Sequence, residues 1–515
     1  MNRDFLPLAT SDRMLTAVAW LSVAACALLL ALRAASAISF GEPLFAITSG
    51  AEEDSALAFW KFIEGRAVFQ DPHRFPFVAS AYNWLYYAFY GAVIGGVLAA
   101  LGLGIEWLPT IGRFVSLGWV VLGCVATYVI VRRIGPRAGA GARQLAPMTV
   151  FLFIGPLVGF WAISLNVELA AMVAAVAGAG VVCLHYDRYP RAAVVAACLC
   201  ALLAWGFKQS HIFLAGSLML FLLSRRDWRG LVLAAIVLGT VWGAATIAGP
   251  EAYVKMLFFK GTDKTLEFWQ FRRNLINFAV KTTPFWMVAG LLVFMAFRDP
   301  RLRNTLLGDT AAQFLISALC VTLPLTLVMS AKQGAAENYY FVVTAMLFLF
   351  SARVVGLAGS ERMEQMNWRP VLAVGWVLSI VAVGTVLAGL NGRISVRHWH
   401  DRNTVERQCV DKLPGPLLPL NNLYLSLPWM TASEPRFNIF FNYGRDRAAG
   451  RVFERDGLAG LVREGYFATI ILGAGNEPVV DGETLNGRYR QIPFECPSGT
   501  MAIYLRNGLE DPLAP

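Results

Sequence analysis

The chain has 515 residues, of which 57% are hydrophobic and 15% charged, with a formal net charge of +10. A soluble protein carries about a quarter charged residues, so the composition excludes an ordinary soluble domain. Lys and Arg cluster in short loops between apolar segments, a pattern that indicates membrane orientation. We therefore expect a polytopic α-helical membrane protein, with no nucleic-acid partner.

The first apolar segment covers residues 14–32. It is too long for the hydrophobic region of a signal peptide, and no persuasive cleavage site follows it. We interpret it as a retained first span, with Arg3 and Arg13 holding the N-terminus in the cytoplasm.

An outer loop, residues 37–112, is predicted to follow the first span. It contains three consecutive acids, Glu52, Glu53 and Asp54, ahead of an amphipathic helix at 58–63. Their mutual repulsion must be offset by a cation, a proton or a substrate. The alternative is a solvated helix start, because acids stabilise helix N-termini.

Residues 84–103 form an apolar, aromatic-rich stretch. If this stretch crossed the membrane, the basic loop 132–143 and every later basic loop would face outwards, against the usual distribution of Lys and Arg. We predict a juxtamembrane helix in the outer interface. An ordinary span that violates the charge rule is the alternative.

The remaining apolar segments bring the total to about eleven spans and place the C-terminus outside. They cover residues 114–131, 146–164, 167–185, 191–207, 210–224, 229–248, 284–298, 311–330, 339–357 and 371–391. Four connections then face outwards: 166–168, 207–211, 250–283 and 332–340. The loop 250–283 mixes aromatic and basic residues, as interfacial amphipathic helices do.

Residues 393–515 are polar enough to form a separate periplasmic domain after a membrane domain of residues 1–392. Strands are predicted at 423–427, 467–472, 489–494 and 501–506, with a helix at 456–464, which indicates a small α/β domain. Its two cysteines, Cys409 and Cys496, could form a disulfide in an oxidising compartment or remain unrelated thiols.

Several short motifs in a fixed order resemble the GT-C superfamily of membrane glycosyltransferases, nearest to its PMT/RgtA-D-like branch. They are the acidic cluster, Glu64-Gly65, Asp71-Pro72, the aromatic run 82–87, Lys208-Gln209-Ser210, the segment 332–340 and the tail motifs at 466–472 and 489–490. The resemblance implies transfer of a sugar from a polyprenyl-phosphate carrier to a glycan, lipid or protein acceptor outside the cytoplasm. Many relatives have Asp-Glu where this chain has Glu52-Glu53-Asp54, so the choice among the acids stays open.

Such a transfer needs a general base, and Glu53 or Asp54 is the candidate, ahead of Glu52. Glu168 is the second acid, placed to orient an acceptor or to hold a divalent cation such as Mg or Mn; an exposed helix start is the alternative. Further candidates are Arg113, which could neutralise the acid cluster, and, through the resemblance, Asn338 and Tyr339.

The leaving lipid phosphate needs cations. Lys208 is the first candidate, followed by Arg272, Arg273 and Lys332, although basic residues in such loops also bind lipid headgroups. Two other functions stay open: a transporter or flippase of a lipid-linked saccharide, and a non-catalytic assembly partner. The candidate site residues are predicted at one membrane face rather than near the middle of the spans, where a transporter binds its substrate. This distribution favours a glycosyltransferase over a transporter.

Overall fold

A computed structural model describes residues 12–40, 51–258, 265–364, 368–389, 405, 408, 410–419, 441–473, 485, 487–493 and 501–510. The predicted fold class is confirmed: the chain is a bundle of apolar helices followed by a small sheet. The predicted strand at 423–427 and the cysteine pair Cys409 and Cys496 lie outside the described residues.

The helices follow one another closely along the chain. They are α1 Asp12–Phe40, α2 Ala51–Ile63, α3 Trp84–Leu101, α4 Leu108–Ile134, α5 Gly139–Ile154, α6 Glu168–His185, α7 Pro190–Phe207, α8 Phe213–Ser224, α9 Trp228–Ala248, α10 Glu251–Phe258, α11 Phe268–Lys281, α12 Thr283–Arg298, α13 Pro300–Gly308, α14 Thr310–Ser330, α15 Phe341–Glu364 and α16 Trp368–Gly389.

Nine helices within the described ranges are long and apolar enough to cross a membrane, or ten if the bent pair α11 and α12 counts as one span. That pair bends by 85°, where Pro284 occupies the first turn of α12 and the chain changes direction. The chain is a multi-pass membrane protein. Because α3 is one of the nine helices, its juxtamembrane placement stays a prediction.

The span predicted at 146–164 differs from the observed structure. Helix α5 ends at Ile154, and a separate 3-10 turn follows at Gly159–Ile163. Gly155 is extended, with φ −66° and ψ 176°, because the residue before a proline is driven out of the α-helical region. Pro156 therefore ends α5 before the 3-10 turn begins.

The C-terminal sheet contains β1 Leu417–Pro419, β2 Thr469–Gly473, β3 Tyr489–Ile492 and β4 Met501–Arg506, accompanied by helices α17 Phe441–Ala448 and α18 Gly457–Glu464. The strand order is β1-β2-β4-β3, with β1 parallel to β2 and the other pairs antiparallel. The sequence pattern missed β1, since three residues are too few for an alternating signal. The boundary at residue 392 stays a prediction.

The loop after α2 is packed against this sheet region. Phe77 is buried in one apolar cluster with residues of α17, α18 and β2, and the Nε2 atom of His73 lies 3.0 Å from Oδ2 of Asp446 in α17. Both α2 and the C-terminal sheet therefore lie at the same end of the bundle.

Candidate active site

The three acids form the first turn of α2. Their exposed fractions are 0% for Glu52, 1% for Glu53 and 6% for Asp54, so the alternative of a solvated helix start does not fit the structure. A helix N-terminus stabilises negative charge, but burying three carboxylates also requires specific partners.

Glu52 has a complete set of partners. Arg113 of α4 donates from Nε to Oε1 at 3.1 Å and from Nη2 to Oε2 at 3.0 Å. The backbone N–H of Leu165 also donates to Oε1, at 3.0 Å. This bidentate geometry is the strong form of an Arg–carboxylate pair. Glu52 is thus held in a buried ion pair, and Arg113 offsets one charge of the cluster.

Glu53 is different, because neither carboxylate oxygen has a hydrogen-bond partner within the described part of the chain. Burial, and after it the neighbouring charge of Glu52, raises the pKa of Glu53 well above its ordinary value. A carboxylate with a raised pKa is a stronger base, and such groups are typical of functional sites.

Glu168 begins α6 and is fully buried. Its Oε1 atom accepts from Lys208 Nζ and, at 2.8 Å, from Asn338 Nδ2. Its Oε2 atom lies 3.2 Å from Nε2 of His211, and its backbone N–H donates to Asn166 Oδ1 at 2.6 Å. The alternative of an exposed helix start does not fit here either, because Glu168 is the centre of a buried polar cluster.

Lys208 follows the last residue of α7 and lies in this cluster. Burial opposes its charge, but the Glu168 carboxylate outweighs burial and raises the pKa of Lys208. Its ammonium also lies 4.4 Å from the ring centre of Tyr339, a favourable cation–π distance. Burial and the Lys208 charge together lower the pKa of His211, so the imidazole is neutral.

The segment 164–168 joins the acid cluster to the Glu168 cluster. Leu165 binds Glu52, and Asn166 caps the backbone of Glu168. Tyr90 of α3 contacts the same segment, since its hydroxyl lies 3.4 Å from the carbonyl oxygen of Asn166. Residues that are more than a hundred positions apart therefore form one buried polar site.

The other predicted cations belong to α11 and to the segment that pairs with the chain before it. Arg272 and Arg273 are exposed on α11, and Arg273 donates to the carbonyl of Ala335 at 3.2 Å. Lys332 lies in the segment that pairs with the chain before α11, at Leu266. These residues belong to the contact between α11 and the segment 331–335.

Sequence reasoning missed an aromatic layer beneath the acids. Phe59 of α2 stacks on Tyr90 with ring centres 5.4 Å apart, and it meets Tyr86 edge-on at 5.1 Å. The i, i+4 spacing of Tyr82, Tyr86 and Tyr90 was the available signal. Sequence reasoning also gave His211 no role, and no local pattern paired it with Glu168.

No group of three or more His, Cys, Asp or Glu side chains among the described residues is arranged to hold a metal ion. The predicted Mg or Mn site therefore has no ligand set in that part of the chain.

The fold is similar to that of ArnT from Cupriavidus metallidurans. In the apo state, the TM-score is 0.54 at 14% identity, covering 95% of this chain and 98% of ArnT. For the structure of the same protein bound to undecaprenyl phosphate, the TM-score is 0.51 at 13% identity, and the match covers 94% of this chain and 97% of that ArnT chain. The chain has the GT-C fold.

A more distant likeness, with a TM-score of 0.46 and 13% identity, links 71% of this chain to 53% of an Archaeoglobus fulgidus oligosaccharyltransferase. No protein-family model and no curated protein matches the sequence. The GT-C fold thus rests on three-dimensional similarity at low sequence identity.

Proposed function

We propose that the chain is a membrane glycosyltransferase that moves a sugar from a polyprenyl-phosphate carrier to an acceptor hydroxyl outside the cytoplasm, with Glu53 as general base. The observation that carries the proposal is that the Glu53 oxygens have no hydrogen-bond partner among the described residues, in the same site as the Lys208–Glu168 pair. The likeness to ArnT bound to undecaprenyl phosphate supports a polyprenyl-phosphate donor.

The proposed reaction uses Glu53 to accept the proton and Lys208 to stabilise the leaving group. The acceptor hydroxyl gives its proton to Glu53 while its oxygen forms a bond to the anomeric carbon. The bond between that carbon and the phosphate oxygen breaks, and the lipid phosphate leaves with the electron pair. Lys208 stabilises the negative charge that develops on the leaving oxygen.

The partners of Lys208 suit this role. The Glu168 carboxylate keeps the lysine charged despite its burial, and Asn338 fixes the same carboxylate oxygen. Since Tyr339 packs over the ammonium, the charge is held in place before a donor arrives. A preorganised charge costs little reorganisation when the reaction occurs.

The contacts of α1 support the proposed sidedness of the site. Asp12 at its start pairs with Arg143 and Arg369, which belong to basic segments expected in the cytoplasm. The acids of α2 come after the other end of α1, so the proposed transfer takes place on the periplasmic face of a bacterial inner membrane. The acceptor is a glycan, lipid or protein hydroxyl.

The test is sugar transfer from defined polyprenyl-phosphate sugars to membrane extracts. We expect Glu53→Gln to reduce turnover by about 10²- to 10⁴-fold, the range for a lost general base, while donor binding is kept. Glu64→Gln, the same change at an exposed position just after α2, is the matched control. Asp54→Asn tests the neighbouring acid.

Three results would count against the proposal. Full transfer by Glu53→Gln would remove the assigned base. Movement of an intact lipid-linked saccharide across the membrane, without transfer by the native chain, would instead identify a flippase. A native chain that does neither would fit an assembly partner.

A further inference from the structure

A cavity that none of the acids 52–54 lines lies between α1, the turn 155–161, α11 and α16. Its volume is about 310 Å³. Its walls are mainly apolar, with Leu29, Val158 and Val383 among them, whereas Arg33 and Lys281 bring positive charge to it. An apolar cavity with few polar groups is the usual form of a site for a small amphipathic ligand.

Two hydrogen-bond donors in this cavity lack an acceptor. Neither Nε of Arg33 nor Nε1 of Trp161 has a hydrogen-bond partner in the described part of the chain, although both atoms are buried. Trp161 is only 7% exposed. Leaving a buried donor without a partner costs free energy, so each such group needs an explanation, such as a bound water, ion or ligand.

The turn passes beside the Arg33 side chain. Gly159 has a φ of +49°, and a Cβ atom built there would lie 3.8 Å from Nη1 of Arg33. A side chain at position 159 would be strained at this φ and would also contact the guanidinium. The glycine lets the backbone turn close beside the arginine.

The depth of Arg33 matches a lipid headgroup. It follows Asp12 by 21 residues in the same helix, which is about 30 Å at 1.5 Å per residue. That distance equals the thickness of the hydrocarbon core. Arg33 therefore lies at the membrane boundary opposite Asp12, where phosphates of lipids are found.

The cavity is separate from the Glu168 cluster but shares one wall with it. Glu337 lines the cavity and pairs with Lys281, whereas the next residue, Asn338, binds Glu168. A ligand in the cavity would therefore contact Glu337, the residue that precedes Asn338.

We propose that this cavity binds one anionic lipid, whose phosphate accepts hydrogen bonds from Arg33 and Trp161 while its chain lies along α1 and α16. The apolar walls and the depth favour a lipid over a soluble anion. This site is additional to the donor site, and the proposal would hold even if the chain transferred no sugar.

The experiment uses the full chain in nanodiscs or detergent, with bound lipids counted by native mass spectrometry. The anionic probes are phosphatidylglycerol and undecaprenyl phosphate, and the neutral probes are phosphatidylcholine and undecaprenol. We expect Arg33→Gln and Trp161→Phe each to weaken binding of an anionic probe about tenfold, the equivalent of one charge-assisted hydrogen bond. Binding of the neutral probes should not change.

Trp242→Phe is the matched control, because Nε1 of Trp242 is also buried and unpartnered but belongs to α9. It should bind every probe as the native chain does. A loss confined to phosphatidylglycerol would identify a bulk phospholipid as the ligand, and a loss confined to undecaprenyl phosphate would identify the carrier.

Native binding by both cavity variants would overturn the proposal, as would equal binding of neutral and anionic probes. Trp161→Phe keeps the aromatic ring, so it supplies the test if Arg33→Gln does not fold. Thermal unfolding of each variant shows whether the fold is kept.

Discussion

Glu52 and Glu53 have the same side chain and are adjacent in the chain, yet they have different surroundings. Glu52 points to Arg113 and the Leu165 N–H, whereas the Glu53 oxygens meet no donor in the described part of the chain. Successive helical residues point about 100° apart, so neighbours face different elements. This difference separates an ion-paired carboxylate from a candidate base.

The raised pKa of Glu53 predicts a pH-dependent gain in stability for Glu53→Gln. Because the folded-state pKa lies above the unfolded value, the protonated group's contribution is fully present below the unfolded pKa. It is lost as pH rises through the folded pKa. We expect the glutamine variant to be more stable by about 1–3 kcal/mol above that pH, the cost of an unmet buried polar group.

Thermal unfolding of the purified chain between pH 4 and pH 9 would measure this gain. Glu64→Gln should show no such trend with pH, because Glu64 is exposed. A constant difference between Glu53→Gln and the native chain at every pH would contradict the prediction.

The Arg113–Glu52 pair predicts an asymmetric mutational effect. Arg113→Met leaves the Glu52 charge buried without its partner and should cost about 3–5 kcal/mol. Arg113→Met combined with Glu52→Gln removes both charges and should recover much of that loss. The measurement is thermal unfolding of the two single variants and the double variant, and purely additive losses would show that the pair is not coupled.

At the scale of elements, α11 holds the segment 331–335 in place. Asn274 donates from Nδ2 to the carbonyls of Ser330 at 2.9 Å and Ala335 at 3.1 Å, and Gln270 donates to the same Ala335 oxygen. Asn338, three residues later, contacts Glu168. Helix α11 thus acts on the site through a short segment rather than through its arginines.

Asn274→Ala should therefore loosen this segment without touching the acids. We expect hydrogen exchange at the amides of 331–336 to become about tenfold faster, since two buried carbonyls lose a donor. Ile276→Ala, at an exposed position of the same helix, should leave exchange there unchanged. Equal exchange in Asn274→Ala and the native chain would show that these bonds do not hold the segment.

At the scale of the whole molecule, the C-terminal sheet region is fastened to the loop that follows α2. His73 pairs with the buried Asp446, the N–H of Phe75 donates to Oε2 of Glu454 at 3.1 Å, and Phe77 is buried among aromatic residues of the same region. The acids of α2 therefore lie between the helical bundle and the sheet.

Asp446→Asn should weaken this attachment, because the carboxylate that meets His73 loses its charge. We expect limited proteolysis within 66–80 to become several-fold faster, tracking a more populated open form. Asp456→Asn is the control, since Asp456 is exposed and asparagine tolerates its φ of +57°. Unchanged cleavage in Asp446→Asn would show that the attachment rests on the aromatic contacts alone.

Local composition is enough to predict the class of fold and most of the helices. Spans about 20 apolar residues long are read from local composition, so the segment predicted at 311–330 is observed at Thr310–Ser330. The acids 52–54, Glu168 and Lys208 were also found from the sequence, since charge beside an apolar span is conspicuous.

Only the tertiary structure decided which of these residues meet. The contacts Glu52–Arg113, Glu168–Lys208 and Glu168–Asn338 join positions 61, 40 and 170 residues apart. Such pairings depend on how helices pack, and no periodicity in one segment encodes its partner in another. The ion pair of Glu52, the unpartnered oxygens of Glu53 and the cavity at Arg33 all follow from that packing.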